Sequence, residues 1–224
     1  MDMPPTLETQ ACADRDFVEW HGGCPWCAVW VVRADEAPLQ ALVDQARAAI
    51  APWLLPRYVR QPHVTVAYRG LMAGPELHPH AVFGRPQLLH DLQALQAAGL
   101  APFALTVQGV GSFSTVPYLA VTQPPALQQA HEVLAGPSSD SNWRYVPHVT
   151  LGHYAQQLPL QTVLAQLQTR GVQYAAHPLP VEALWLARYR TDDIAGALHF
   201  EGRFDLRTQT YVPEPGALLA LGGT

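Results

Sequence analysis

Lysine is absent from the sequence, and all 13 basic residues among its 224 residues are arginine. A P-loop, a Schiff-base enzyme and a ligase that carries a nucleotide on an amine all depend on lysine, so these mechanisms are excluded. The formal net charge is −5, which does not favour the broad basic surface of a protein that binds long duplex nucleic acid. A local basic pocket stays open as an alternative, because several arginines lie near two repeated motifs or in a late strand: Arg57, Arg60, Arg69, Arg144, Arg188 and Arg190.

Long hydrophobic stretches are missing as well. No apolar run reaches the roughly 18 residues that a membrane span requires. Residues 1–16 are acidic and lack the basic start and apolar stretch of a signal peptide. We therefore expect a cytoplasmic protein that has no membrane partner and acts as a monomer. With 49% hydrophobic and 14% charged residues, the composition is typical of a globular chain with a sizeable core.

Cysteine is rare, with three residues in the chain, and an odd number without an export signal does not favour a disulfide framework. Two of them lie in HGGCPWC (21–27), a Cys-x-x-Cys beside a histidine. In thioredoxin-like proteins such a pair opens a helix, whereas Cys27 leads into an apolar strand. Zinc would need further ligands, for which His21 and Cys12 are the candidates. Buried thiols at the start of a strand are the simpler interpretation, and we expect no metal.

The chain consists of two similar halves in which strand and helix patterns alternate. The first half contains strand patterns at 26–32 and 103–113 and helix patterns at 37–50 and 84–99. The second half contains a strand at 117–123, a helix at 124–136, a loop at 136–143, a helix at 160–171, and a closing strand pair at 180–190 and 197–207.

This repeated order predicts an α+β fold with two pseudo-symmetric lobes around a central cleft. Each lobe is expected to be a small antiparallel sheet with helices outside. We assign residues 1–22 to an N-terminal extension, residues 23–208 to a single bilobal domain, and residues 209–224 to a loose C-terminal tail.

One short motif occurs once in each half. QPHVTV (61–66) and VPHVTL (146–151) both place Pro-His-Val-Thr at the head of an apolar run. Because side chains alternate across a strand, the histidine and threonine of each motif point to one face and the valine to the other. A single His-x-Thr is more often a structural pair in a core strand. Two copies at equivalent places favour a shared functional site.

Two such pairs facing one cleft suit the chemistry of a phosphodiester. Cleavage needs the attacking oxygen deprotonated and the leaving oxygen protonated, and imidazoles, which titrate near neutral pH, can do both. Two hydroxyls can hold the non-bridging oxygens between them. The catalytic candidates are therefore His63 and His148, and the phosphate-binding candidates are Thr65 and Thr150.

Three further side chains are candidates for substrate binding. Arg69 and Tyr154 each lie six residues beyond a motif histidine, so strand alternation places them on its face, where they could pair with phosphate and stack on a base. Phe113, after a Gly-rich bend, is a third stacking candidate, with a core position as the alternative. His153 alternates to the opposite face. The remaining histidines have no symmetric counterpart and are expected at the surface: His78, His80, His90, His131, His177 and His199.

The paired motifs resemble those of the two-histidine (2H) phosphoesterase superfamily, typified by 2′-5′ RNA ligase-like proteins and cyclic nucleotide phosphodiesterases. HVTV and HVTL match its two His-x-Thr-x segments, and LTVQGVGSF is similar to its strand and Gly-rich turn before the second half. The likeness covers roughly residues 26–207. It implies a metal-independent phosphodiesterase that needs no cofactor and acts on a 2′,3′-cyclic or 2′-5′ linkage of an RNA terminus or small nucleotide. By the same resemblance, His63 is the acid and His148 the base.

Two other functions compete with this interpretation. The same cleft could hold a nucleotide phosphate without turnover, which would make the protein a binding module. A redox or zinc protein built on the CPWC segment is the weaker alternative.

Overall fold

The protein is described by a computed structural model that covers residues 7–136, 144–169 and 176–219. Within these ranges, nine strands form one antiparallel sheet in the order β6-β3-β4-β5-β2-β1-β7-β8-β9. The strands are β1 (Trp26–Arg33), β2 (His63–Met72), β3 (Phe103–Ser112), β4 (Pro117–Val121), β5 (His148–Thr150), β6 (His177–Val181), β7 (Ala183–Arg190), β8 (His199–Asp205) and β9 (Thr210–Pro213).

The helices are α1 (Val18–His21), α2 (Ala37–Ile50), α3 (Arg85–Ala98), α4 (Pro125–Ala135) and α5 (Leu160–Thr169). The four long helices, α2 to α5, cover one face of this sheet. Proline stands in the first turn of α2, α3 and α4, where its missing N–H is not needed. The predicted apolar stripe of α2 is confirmed, since its members are all buried: Leu39, Leu42, Val43, Ala46 and Ile50. One large core joins these helices to the sheet, and a smaller apolar cluster lies on the other face.

The predicted α+β class with antiparallel strands is confirmed, but the two halves share one sheet instead of forming two separate ones. Val64 of β2 pairs with Val149 of β5, so the two motif strands themselves join the halves. Because the helices pack on the far face, the motif histidines and threonines lie on the face that the large helices leave open.

Two strands depart from the sequence predictions. Strand β6 was not predicted, because its sequence HPLPV holds two prolines. It forms at the edge of the sheet, where a missing N–H is tolerated. The expected loose tail at 209–224 is wrong for its described part, since β9 pairs with β8. Beyond it, the backbone N–H groups of Leu218 and Leu219 donate to the buried Glu201 carboxylate at 2.7 and 2.9 Å.

The N-terminal segment is also packed against the domain. The Thr9 N–H donates to the Leu158 carbonyl at 2.8 Å, and the Cys12 N–H donates to the Tyr154 carbonyl at 2.8 Å. The predicted loop at 136–143 lies outside the described residues except for Gly136. Across the three described ranges, no helix has both the length and the apolar character needed to cross a bilayer.

Candidate active site

The two Pro-His-Val-Thr motifs lie side by side in the middle of the sheet, and the register of their strands determines how they face each other. Their central valines pair in antiparallel register. Extending that register by one residue each way places each histidine opposite the threonine of the other motif, His63 opposite Thr150 and His148 opposite Thr65. In such a ladder the Cβ atoms of opposed residues are about 5 Å apart and diagonal neighbours are separated by about 7–8 Å. The two imidazoles are therefore diagonal neighbours on one face, each with a hydroxyl opposite.

Both imidazoles are oriented by the same backbone contact. The Nδ1 atom of His63 lies 2.8 Å from the Gln61 carbonyl, and that of His148 lies 2.7 Å from the Val146 carbonyl. A carbonyl oxygen can only accept, so each Nδ1 carries the hydrogen. In the neutral ring the lone pair is then on Nε2, which is the nitrogen that can exchange a proton with a substrate.

The surroundings of both histidines favour the neutral ring. Burial lowers the pKa of His63 to about 4; the Gln61 carbonyl opposes this shift, and the nearby positive charges of Arg60 and Arg47 add to it. Burial also lowers the pKa of His148, against the opposing effect of the Val146 carbonyl. Both shifts therefore favour the neutral ring in the free protein. A bound phosphate anion would favour their charged forms.

A pocket of about 940 Å³ opens beside this pair and is lined by both Thr65 and His148. Phe113 lies at its wall, with its ring centroid 5.0 Å from that of His148, and Tyr118 of β4 lies 5.2 Å from the same imidazole. Phe113 remains 37% exposed, so one side of its ring faces the pocket. Phe113 therefore lies at the wall of the pocket and not in the core.

His131 and Tyr145 also line the pocket, and the sequence did not point to either. The Tyr145 hydroxyl donates to the Thr65 carbonyl at 2.8 Å, and His131 Nδ1 donates to the Val66 carbonyl at 2.7 Å. Their rings stack at 4.0 Å. Strand β5 is short, so these side chains satisfy β2 carbonyls that it does not reach. The signal for His131 was its place on α4, four residues after the buried Leu127.

The prediction that Arg69 shares the face of His63 is wrong. Its guanidinium binds the buried Asp91 carboxylate of α3 through two hydrogen bonds of 2.9 and 2.7 Å. Two irregularities in the pairing of β2 with β1 each add one residue to β2, at Val66 and at Arg69. Such bulges break the alternation of side chains. As a result Tyr68, instead of Arg69, lines the pocket with Thr65.

The prediction that Tyr154 could stack on a base is wrong too. Strand β5 ends at Thr150, so strand alternation does not extend to Tyr154. Its side chain is fully buried, and its hydroxyl lies 2.6 Å from Ser112 Oγ. The ring is part of the core.

The cysteines of the CPWC segment have the properties expected of buried thiols at the start of a strand. Cys24 and Cys27 are fully buried, and Cys24 Sγ lies 3.4 Å from the Met72 carbonyl. Burial raises the pKa of the Cys27 thiol. In the described part of the chain, no three His, Cys, Asp or Glu side chains are grouped so that they could hold a metal ion.

A family model of the 2′-5′ RNA ligase superfamily matches residues 72–193, more than half of the chain. The chain belongs to the 2′-5′ RNA ligase superfamily. The matched segment contains the second motif but begins after the first. His63 lies outside it in sequence, and the pairing of β2 with β5 places His63 beside the second motif in the structure.

Solved structures agree with this membership at the level of the fold. TT0787 of Thermus thermophilus superposes with a TM-score of 0.53 and 19% identity, over 81% of this chain and 98% of that chain. E. coli LigT complexed with ATP superposes with a TM-score of 0.51 and 14% identity, over 82% and 98%. A search of the curated proteins finds no significant sequence match. This 2′-5′ RNA ligase superfamily member therefore shares its fold with proteins of low sequence identity.

Proposed function

We propose that this 2′-5′ RNA ligase superfamily member is a metal-independent phosphodiesterase that acts on 2′,3′-cyclic or 2′-5′ linkages of RNA ends or small nucleotides. One observation carries the proposal: the register of β2 and β5 makes the two motif histidines diagonal neighbours on one face, each opposite a threonine. The fold shared with LigT, whose structure was solved with ATP, supports a nucleotide as the ligand.

The two hydroxyls and two imidazoles supply the groups that the reaction needs. Thr65 and Thr150 hold the non-bridging oxygens of the phosphate. His148 Nε2 takes a proton from water as the water oxygen bonds to phosphorus. His63 Nε2–H gives a proton to the ribose oxygen as its bond to phosphorus breaks. One proton is taken and one is given, so the pair returns to its starting charge after exchange with solvent.

The assignment of acid and base follows the superfamily resemblance. Burial and the charges of Arg60 and Arg47 oppose a protonated His63 in the free protein. The assignment therefore requires the bound phosphate to supply the compensating negative charge. If His63 is the acid, substrate binding and His63 protonation are coupled.

The experiment is turnover of adenosine 2′,3′-cyclic phosphate and of 2′-5′-linked diadenosine, with products separated by chromatography and EDTA present throughout. We expect His63→Ala and His148→Ala to lose turnover. His90→Ala is the matched control, since the His90 side chain is 76% exposed on α3, and it should keep full activity. Nucleotide binding without turnover by the wild-type protein would reject the enzyme and identify a binding module.

A further inference from the structure

A second cavity of about 320 Å³ lies on the same face of the sheet as the two histidines, and its lining includes Arg60, His153 and Tyr189. Tyr189 of β7 pairs across the ladder with Cys27. The Cys27 thiol also contacts Tyr68, which lines the first pocket. The two cavities therefore open on one surface, with the β1 and β2 side chains between them.

Arg60 and His153 each place in this cavity a buried nitrogen that lacks a hydrogen-bond partner. Arg60 Nε donates to the Gly196 carbonyl at 2.9 Å, and its guanidinium lies 4.3 Å from the Tyr189 ring centroid. Its Nη2 is buried without a hydrogen-bond partner, and so is Nδ1 of His153 in the same cavity. Buried polar atoms normally have hydrogen-bond partners, so these two side chains have bonding capacity that the protein itself does not fill.

The charge of Arg60 is also not cancelled by an ion pair. No carboxylate in residues 7–136, 144–169 and 176–219 lies within ion-pair distance of it. The nearby acids are engaged elsewhere: Asp14 and Asp193 bind Arg57 at 2.6 and 3.1 Å, and Asp192 binds Arg190. A guanidinium without a carboxylate partner matches the oxygens of a phosphate.

Aromatic rings stand beside this guanidinium. Trp20 and Phe17, from the N-terminal segment, line the cavity together with Tyr189. Trp20 is 47% exposed, although a tryptophan ring is usually well covered. Arg57 ties this segment, through Asp14, to the chain after β7, so the walls are held in place before a ligand arrives. An exposed ring next to a cation is the pattern that binds a nucleobase beside its phosphate.

The second cavity is also close to the proposed reaction. Arg60 stands three residues before His63, and its charge is among the causes that lower the pKa of that imidazole. Arg60 therefore lies on the segment that leads directly into the first motif strand.

We propose that this cavity binds the nucleotide adjoining the reacting phosphodiester in an oligonucleotide substrate, with its phosphate on Arg60 and its base against Trp20. This inference rests on the proposed function, because it assigns a second subsite to the same substrate. It makes an RNA end a better substrate than a mononucleotide.

Three substrates separate the contribution of the phosphate contact from that of the base contact. Adenosine 2′,3′-cyclic phosphate has the reacting group alone, its 5′-phosphorylated form adds a phosphate, and the dinucleotide ApA 2′,3′-cyclic phosphate adds a phosphate and a base. For the wild-type protein we expect kcat/KM to rise about tenfold with the phosphate and about fivefold more with the base. Arg60→Gln should reduce both ratios to below about twofold, whereas Trp20→Ala should remove only the second increase. The control Arg85→Gln, exposed at the start of α3, should keep both.

A binding measurement keeps this test separate from the proposed function. Calorimetry with adenosine 3′,5′-bisphosphate and 3′-AMP needs no turnover, and the wild-type protein should prefer the bisphosphate about tenfold. Arg60→Gln should remove that preference. Turnover of all three cyclic substrates at equal kcat/KM, together with equal binding of the two nucleotides, would overturn the subsite and leave the phosphodiesterase intact. The reverse result, bisphosphate preference without any turnover, would support the subsite and overturn the reaction.

Discussion

Separating the roles of the two histidines is the sharpest test of the proposed chemistry. The sequence motifs and the Nδ1 contacts of His63 and His148 are the same, so geometry alone does not distinguish acid from base. Removing either imidazole should lower kcat on a 2′,3′-cyclic nucleotide by about 10²–10⁴, the usual contribution of a positioned acid or base. Because both rings are half-buried, replacement by alanine should leave the fold intact, which circular dichroism would check.

A nitrophenyl phosphodiester distinguishes the two roles, because its leaving group departs without a proton. On this substrate His63→Ala should recover to within about tenfold of the wild-type rate, since the acid is no longer required. His148→Ala should remain inactive, because water still needs a base. Equal inactivity of both variants on this substrate would refute the assignment, and recovery of His148→Ala alone would reverse it.

The pH dependence follows from the same electrostatics. As the proposed base, His148 must be neutral, so we expect the rate to fall as the pH drops below its pKa, which burial lowers from the ordinary value. As the proposed acid, His63 must be protonated, so we expect kcat/KM to fall as the pH rises above its pKa of about 4 in the free protein. Bound phosphate raises that pKa. The alkaline limb of the kcat profile should therefore lie at higher pH than that of the kcat/KM profile. Coincident limbs would show that bound substrate does not raise the pKa of His63.

Three other predictions concern phosphate binding by the two threonines, activity without a metal ion and the stability of the core. Thr65→Val or Thr150→Val should lower kcat/KM by about 10–100-fold, less than loss of a histidine, because one hydrogen bond to a charged oxygen disappears while proton transfer remains; a larger loss than in His148→Ala would contradict this role. Turnover should be unchanged after dialysis against EDTA. Loss of turnover that one added divalent ion restores would instead show a metal-dependent enzyme. Asp91→Asn should lower the Tm by about 10 °C, because it leaves the Arg69 charge without its buried partner, yet kcat/KM should stay near wild type. Glu19→Gln, in an exposed ion pair, is the control for that measurement.

Local sequence patterns predicted the regular elements well. The helix predicted at 37–50 has those same bounds in the structure, because its apolar residues recur at helical spacing after a proline in the first turn. The repeated Pro-His-Val-Thr motif likewise indicated a shared site, since four residue types in the same order on two strands specify a chemistry without reference to the fold. These signals depend on near neighbours along the chain, so a single sequence was enough to predict them.

Strand alternation failed where the backbone was not regular. The bulges of β2 turn Arg69 towards the buried Asp91, and the early end of β5 leaves Tyr154 in the core. A bulge depends on how the neighbouring strand pairs, so a period-2 pattern within one strand does not reveal it. The edge position that lets β6 contain two prolines is decided in the same way, by which strands lie beside it.

The sequence by itself determined the fold class, the four motif residues and the kind of chemistry they suit, because composition, periodicity and a repeated motif carry that information locally. Only the tertiary structure decided that β2 and β5 pair in the register that sets each histidine opposite the other motif's threonine. It also decided that Arg69 forms an ion pair, whereas Arg60 has none with the described residues. Arg60 and Arg69 both lie within six residues of His63 in the sequence. In the structure, however, Arg69 contacts Asp91 of α3, whereas Arg60 contacts Tyr189 of β7. Long-range packing selects these partners, and the partner determines whether a guanidinium stabilises the core or is open to a ligand.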